Sequence, residues 1–331
     1  MNAKNFDGGM KMYKEPIFLS PVYQKRIWGG QNLKKEFGYD IPFEQTGEAW
    51  VMSALENESN IVKNGPLANK TLLDLWENHS ELFNKNNKND SVYPLLVKIL
   101  DANANLSVQV HPDDTYAREI EKVPYGKTEC WYVLNAREDA SIILGHHAQN
   151  REELDRMTKD GEWDKLLQTK KVNPGDFFYV PSGTIHAIGE GIMILEIQQS
   201  SDITYRVYDY DRTDDNGAKR ELHLEKAKEV TTIPHKSSEF PRIRECVEGL
   251  TSDTLIKEKY FTVYHWILDG TVTHKLSADF LQVNVIKGEA SIKVEDQSFA
   301  IQKGDNFIIP HSVQSFQLVG NAEFVVSHIT E

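Results

Sequence analysis

The segment Asn173-Pro174-Gly175-Asp176-Phe177-Phe178-Tyr179-Val180-Pro181 recurs in form as Gln302-Lys303-Gly304-Asp305-Asn306-Phe307-Ile308-Ile309-Pro310. In each, a Gly-Asp turn leads into a short, largely apolar run that a proline ends. Glycine reaches the backbone angles of a tight turn without steric cost, and proline cannot donate to a sheet ladder, so both segments read as a turn feeding a strand. Such a repeat predicts two copies of one β unit. The copies differ in one respect: five residues beyond Pro181 stands His186, whereas five beyond Pro310 stands Ser315, so the second unit shows no ligand there.

Upstream, Leu106-Ser107-Val108-Gln109-Val110-His111 alternates apolar and polar residues with the period of a half-buried strand. Leu106, Val108 and Val110 share one face, and Ser107, Gln109 and His111 share the other. That polar face fits either a solvated sheet surface or a site. Pro112 ends the strand, and Asp113-Asp114 suits a helix start. Leu95 to Leu100 reads as a buried strand carrying Lys98, which either snorkels to the surface or points inward. Gly126 to Leu134 returns to β, with Lys127 and Glu129 projecting to one side. His186 follows a Pro-Ser-Gly corner and fits a turn histidine or a ligand. Ile192 to Gln199, a further strand, carries Glu196.

Helical periodicity is confined to insertions in the N-terminal half, at about 71–83, 114–122, 150–168 and 224–230; Asn150 and Glu153 are spaced as a capping box. Residues 1–15 read as a disordered leader. The shift in composition from Pro234 to Pro241 divides a unit of 16–240 from a second at 246–331, where turns separate many short strands. The expected class is all-β, with two sandwiches or barrels.

Composition excludes some partners. A net charge of −13 argues against nucleic acid and anionic membranes, so a phosphate ligand would need a local cluster of Lys and Arg. No apolar run approaches the roughly 20 residues that cross a bilayer, and no secretory signal is evident. Two cysteines, Cys130 and Cys246, do not form a disulfide framework and suit a reducing cytoplasm. Nothing supplies Cys130 with a base. Oligomeric state is left as monomer or weak homodimer.

The two Gly-Asp turns are similar to those of cupins, which implies that both units are jelly rolls. The ordered set Ile27 to Gly30, Gly47 to Trp50, Leu106 to Pro112, Lys127 to Glu129, Gly183 to Gly189 and Ser201 to Arg206 resembles type I mannose-6-phosphate isomerases, in their short bacterial form. The resemblance spans nearly the whole chain from Pro16. It implies a catalytic cupin domain at 16–240, a second cupin domain without a metal site at 246–331, and a phosphorylated hexose substrate. Carried over by position, one zinc ion per chain would be held by Gln109, His111, Glu129 and His186. Lys127 would shuttle protons, its pKa lowered by the neighbouring cation. Arg206 would hold phosphate or an oxyanion, Ser107 and Lys98 would contact phosphate, and Glu196 would be a site carboxylate. Glu48 and Trp28 would be structural or supporting.

The implied reaction interconverts mannose 6-phosphate and fructose 6-phosphate through an enediol. Two other readings stay open: an iron cupin dioxygenase, which Gln109 disfavours because histidine is usual at that position, and a non-catalytic sugar-binding cupin. His146 and His147 imitate a metal pair but match no ligand of the family, and His311 and His328 in the second unit are expected to be structural.

Overall fold

The structure is a computed structural model that describes residues 13–85, 92–213 and 217–330. The expected disordered leader, apart from its last three residues, lies outside them.

The described strands form three antiparallel sheets, an all-β arrangement with helices on its surface. A six-stranded sheet runs in the order Phe177–Val180, Glu129–Ala136, Ile192–Gln199, Leu95–Ala102, Thr46–Met52, Val22–Gly30. A five-stranded sheet runs Tyr205–Tyr208, Val108–Val110, His186–Ile188, Ser141–His146, Leu167–Lys171. Trp28, Leu100, Leu106, Trp131, Val133, Ile188 and Ile194 meet between these two sheets.

Both sheets are also covered from outside. Ala49, Val51, Val97, Ile99, Cys130, Leu195 and Ile197 on the outer face of the six-stranded sheet pack with Leu72, Leu75 and Trp76, and with Phe261, Val263 and Phe280 of the C-terminal half. Its central strands are buried on both faces, which is why Leu95 to Leu100 and Ile192 to Ile197 read as apolar runs rather than as alternation. Outside the five-stranded sheet, Val108, Val110, Ala187 and Val207 pack with Leu154 and Met157 of the helix Arg151–Lys159 and Ala227 of the helix Leu224–Val230. The apolar face of Val108–Val110 therefore faces helices, leaving Gln109 to face the opposing sheet.

The remaining, nine-stranded sheet holds the C-terminal strands, with Phe261–Lys275 and Ser315–Ile329 paired along their whole length. It also takes in Ile17–Ser20, which pairs with Asn306–Ile309. The sheet boundary thus does not coincide with the composition shift at 234–241. Ile17 and Leu19 join the core shared with the N-terminal half, while Phe18 points into the C-terminal core.

The repeated turns have the same hydrogen bonds. Gly175 and Gly304 take φ of 88° and 96°. Asp176 Oδ2 accepts from the Asn173 N–H at 2.8 Å, and Asp305 Oδ2 from the Gln302 N–H at 2.9 Å. Gly175 donates to Val133 O and Gly304 to Val285 O.

Asn150 caps Arg151–Lys159 as the spacing predicts, accepting from the Glu153 N–H, but the Glu153 carboxylate reaches the Gln149 N–H instead of completing the box. The expected 150–168 helix ends at Leu166, and Leu167–Lys171 is a strand. The helix Leu72–Asn78 is capped by Thr71. Asp114–Tyr116 begins under an Asp113 cap and continues as the single π-helical turn Ala117–Glu121. Among the described residues no helix is long and apolar enough to cross a membrane.

Candidate metal centre and active site

Two rungs face each other across the gap between the six- and five-stranded sheets. One is Arg206–Gln109–His186, with Gln109 opposite both neighbours in register. The other is Trp50–Lys98–Glu196–Trp131. Glu129 enters from the strand Glu129–Ala136, whose Glu129 stands opposite Gln198 and Val180. Ser107 and His111 flank Val108–Val110, and Lys127 lies just before the Glu129 strand.

His111, Glu129 and His186 converge, their ligand atoms all within 4.8 Å of one another and each residue at most 2% exposed. His111 Nε2 is 3.6 Å from Glu129 Oε2, and His186 Nε2 is 3.4 Å from Glu129 Oε1. The other ring nitrogens are committed, His111 Nδ1 to Ile203 O at 2.7 Å and His186 Nδ1 to Thr184 O at 2.8 Å. A carbonyl accepts only from N–H, so both Nε2 atoms present lone pairs to the gap. His111 Nε2 and Glu129 Oε2 are buried without any hydrogen-bond partner. Orphaned acceptors in a dry interior are costly, and a cation satisfies both. Zinc bonds of about 2.1 Å in a tetrahedron set ligand atoms about 3.4 Å apart, which the His186–Glu129 spacing matches. Gln109 sits at the edge of this group, half-buried, with its side-chain amide 3.4 Å from His186 Nε2.

Burial keeps both imidazoles neutral. His186 is held down at about 4, and His111 well below the ordinary histidine range, where the charge of Lys127 adds to the effect of burial.

Lys127 Nζ is 3.3 Å from Glu129 Oε2. Burial opposes its charge, but the carboxylates of Glu129, Glu196, Asp202 and Glu48 outweigh that and hold it above the usual lysine range. The protein's own groups thus act against the lowering expected from a neighbouring cation. Lys98 points inward: its Nζ lies 3.8 Å from both Glu48 and Glu196, 3.9 Å from Asp202 and 4.8 Å from the centre of the Trp50 ring. Burial raises the Glu196 carboxyl, and the Glu129 charge raises it further. Glu48 has the opposite outcome, since Lys98 and Arg26 overcome its burial and hold it at about 2.

Arg206 lies on the other side of Gln109. Its Nε donates to Ser107 Oγ at 3.3 Å and its Nη1 to Glu221 O at 2.8 Å. Burial lowers its pKa, and the charge of Arg220 lowers it further. Arg212 and Arg220 both bond to the buried Asp209, and their charges stand near Arg206, where only the carboxylates of Asp209 and Glu221 oppose them. This is the local positive cluster that an acidic chain requires for an anion.

Sequence reasoning missed Arg212 and Arg220, which carry no motif. It also missed the roles of Trp50 and Trp131. Each donates its indole N–H to the carboxylate two residues earlier, Trp50 to Glu48 at 2.6 Å and Trp131 to Glu129 at 3.0 Å. The repeated Glu-x-Trp of Glu48-Ala49-Trp50 and Glu129-Cys130-Trp131 was the available signal. His146 bonds to Thr232 O and its ring neighbours His235 rather than the exposed His147. His311 and His328 bond to backbone carbonyls in the C-terminal half. Cys130 faces the outer core, where burial pushes its thiol up.

The family model for phosphomannose isomerase type I, catalytic domain, matches residues 17–143, and that for mannose-6-phosphate isomerase, cupin domain, matches residues 251–329. The mannose-6-phosphate isomerase of Streptococcus mutans is 51% identical over 96% of this chain and 99% of its own. Mannose-6-phosphate isomerase ManA of Bacillus subtilis is 48% identical over 96% of this chain and 100% of its own. A crystal structure of the mannose 6-phosphate isomerase from Bacillus subtilis superposes with a TM-score of 0.93 at 46% identity, over 96% of this chain and 100% of that one.

Proposed function

The chain belongs to the type I phosphomannose isomerase family and has mannose-6-phosphate isomerase activity, and from that premise we propose that it works with one zinc ion through an enediol. The observation that carries the zinc is the convergence of two neutral imidazoles and one carboxylate, in which buried His111 Nε2 and Glu129 Oε2 have no hydrogen-bond partner and only the Lys127 ammonium stands beside the latter. Nitrogen and oxygen donors in this combination suit Zn²⁺, and the Gln109 side-chain oxygen would serve as a fourth ligand once its amide is turned, since the amide nitrogen is what faces His186 here. When bound, such an ion supplies Lewis-acid stabilisation of negative charge on a sugar oxygen.

The chain's own residues do the rest. In the aldose-to-ketose direction a base takes the C2 proton while the C1 carbonyl oxygen gains one, and the resulting enediol loses its O2 proton as C1 is protonated. Lys127 carries a proton at Nζ beside the ligand cluster. Glu196, whose carboxyl burial moves towards neutrality, is a second group able to hold and return one. Arg206, steered by Ser107 and reinforced by Arg212 and Arg220, receives the phosphate. Lys98, already surrounded by Glu48, Glu196 and Asp202, has less charge to offer an anion and more effect in setting the proton affinity of Glu196.

A coupled assay of mannose 6-phosphate conversion tests this reading. Turnover should stop on chelation and return with zinc, without oxygen or nicotinamide as reactant. A zinc-replete protein that fails to convert the sugar would overturn it.

A further inference from the structure

Residues 124–128 lie in no helix or strand, yet they deliver Lys127 and lead directly into Glu129. What holds them is a carboxylate with no part in the chemistry above. Asp114 Oδ1 accepts from the Gly126 N–H at 3.0 Å and from Gln199 Nε2 at 2.8 Å. Gln199 in turn accepts from the Thr128 N–H at 3.0 Å through its side-chain oxygen, and its own N–H donates to Thr128 O. The Lys127 N–H between them donates to Pro112 O at 3.0 Å. Three consecutive backbone donors are therefore tied down, two of them through Asp114 and its partner Gln199. Gly126 closes the arrangement, because a Cβ there would lie 2.3 Å from Asp113 C and 2.5 Å from Pro112 O.

The other oxygen of Asp114 faces the C-terminal half. Tyr260, between the strands Leu250–Lys257 and Phe261–Lys275, donates its phenol to Oδ2 at 3.1 Å. Arg118 Nη2 at 3.4 Å and Lys259 Nζ at 3.7 Å stand beside the same oxygen. One carboxylate thus joins the lysine-bearing loop to a residue of the second β unit.

We propose that Asp114 is a positioning residue for Lys127, and that Tyr260 brings the C-terminal half into that task. A carboxylate bonded on both oxygens has a fixed orientation, so Oδ1 holds the Gly126 and Gln199 donors in place. The loop then presents Nζ beside Glu129 rather than sampling other conformers. The proposal rests on the reading of Lys127 as the proton carrier.

Steady-state kinetics on four variants test it. Asp114→Ala should lower kcat by about 100-fold with KM and bound zinc nearly unchanged, the cost expected for misplacing a reacting group by about an ångström. Asp114→Asn keeps an acceptor at Oδ1 and should restore most of that loss. Tyr260→Phe, a mild change whose folding is not in question, should lower kcat several-fold. In a Lys127→Ala background, Asp114→Ala should lower turnover no further, since residues acting through one group are not additive. An undiminished kcat in Asp114→Ala and Tyr260→Phe, with Lys127→Ala inactive, overturns the proposal and leaves the role of Lys127 standing. A further loss in the double variant also overturns it. Full turnover in Lys127→Ala instead overturns the reading of Lys127 on which the proposal rests.

Discussion

Trp131 donates its indole N–H to Oε1 of Glu129 at 3.0 Å, from two positions further along the same strand. The alternation of a strand places both side chains on the inner face, so the indole orients a carboxylate whose other oxygen is aimed at His111 and Lys127. Trp131→Phe keeps the ring and removes the donor. Metal affinity should fall by about 10- to 100-fold, the usual cost of removing a group that orients a ligand. Competition with a chromophoric chelator measures it, and an unchanged affinity would show that the bond is incidental.

Glu48 should contribute stability that depends on acid. Its carboxyl is held at about 2 in the folded protein, against 4.5 ordinarily, because Lys98 and Arg26 favour the charged form despite burial. A depressed carboxyl pKa stabilises fully above about 4.5, and the contribution is lost as pH falls towards 2. Its size is on the order of 3 kcal/mol. Glu48→Gln should therefore be less stable than the parent in urea unfolding at pH 7, with the difference narrowing progressively below pH 4.5. A difference independent of pH would refute the assignment.

Arg206 uses the spread of its guanidinium, with Nε on Ser107 Oγ and Nη1 on Glu221 O. A lysine retains the charge but cannot meet both acceptors with a planar fork. Arg206→Lys should raise KM for mannose 6-phosphate by about 10-fold, equivalent to about 1.4 kcal/mol of binding. Any slow conversion of unphosphorylated mannose should be unaffected. Equal losses with both sugars would remove the phosphate role from Arg206.

Truncation after Cys246 should unfold the N-terminal half. Ile17–Ser20 would lose its partner Asn306–Ile309, and the outer core containing Val97, Ile99 and Leu195 would lose Phe261, Val263 and Phe280. Exposing several buried aromatic and aliphatic side chains costs about 1.5–3 kcal/mol each, which exceeds the margin of most domains. Loss of cooperative unfolding is the expected result in calorimetry. A truncated protein that melts cooperatively and turns over substrate would show the two halves to be independent.

Period-two alternation was enough to aim Gln109 and Glu129 within the strands Val108–Val110 and Glu129–Ala136, because side-chain direction along an extended chain is a local property. Both strands are shorter than the alternation suggests: Ser107, His111 and Lys127 lie just outside them, and Leu106 packs between the two sheets rather than with Val108 and Val110. The Gly-Asp cassettes were equally legible, since a positive-φ glycine and an aspartate closing its own turn need no distant partner. Lys98 could not be resolved this way. Its inward direction has meaning only with Glu48, Glu196 and Asp202, which arrive from other parts of the chain. The task of Asp114 was hidden too, because its helix-start signal is local while Gln199 and Tyr260 are remote.

By itself the sequence determined the alternation inside its strands and, through its ordered motifs, the family to which the chain belongs. Only the tertiary structure decided which strands stand opposite one another, and so which charges meet, which acceptors are left unpaired and which half of the chain braces Lys127. Pairing between strands far apart in sequence is settled by burying both faces of the six-stranded sheet at once, and no local pattern encodes that choice.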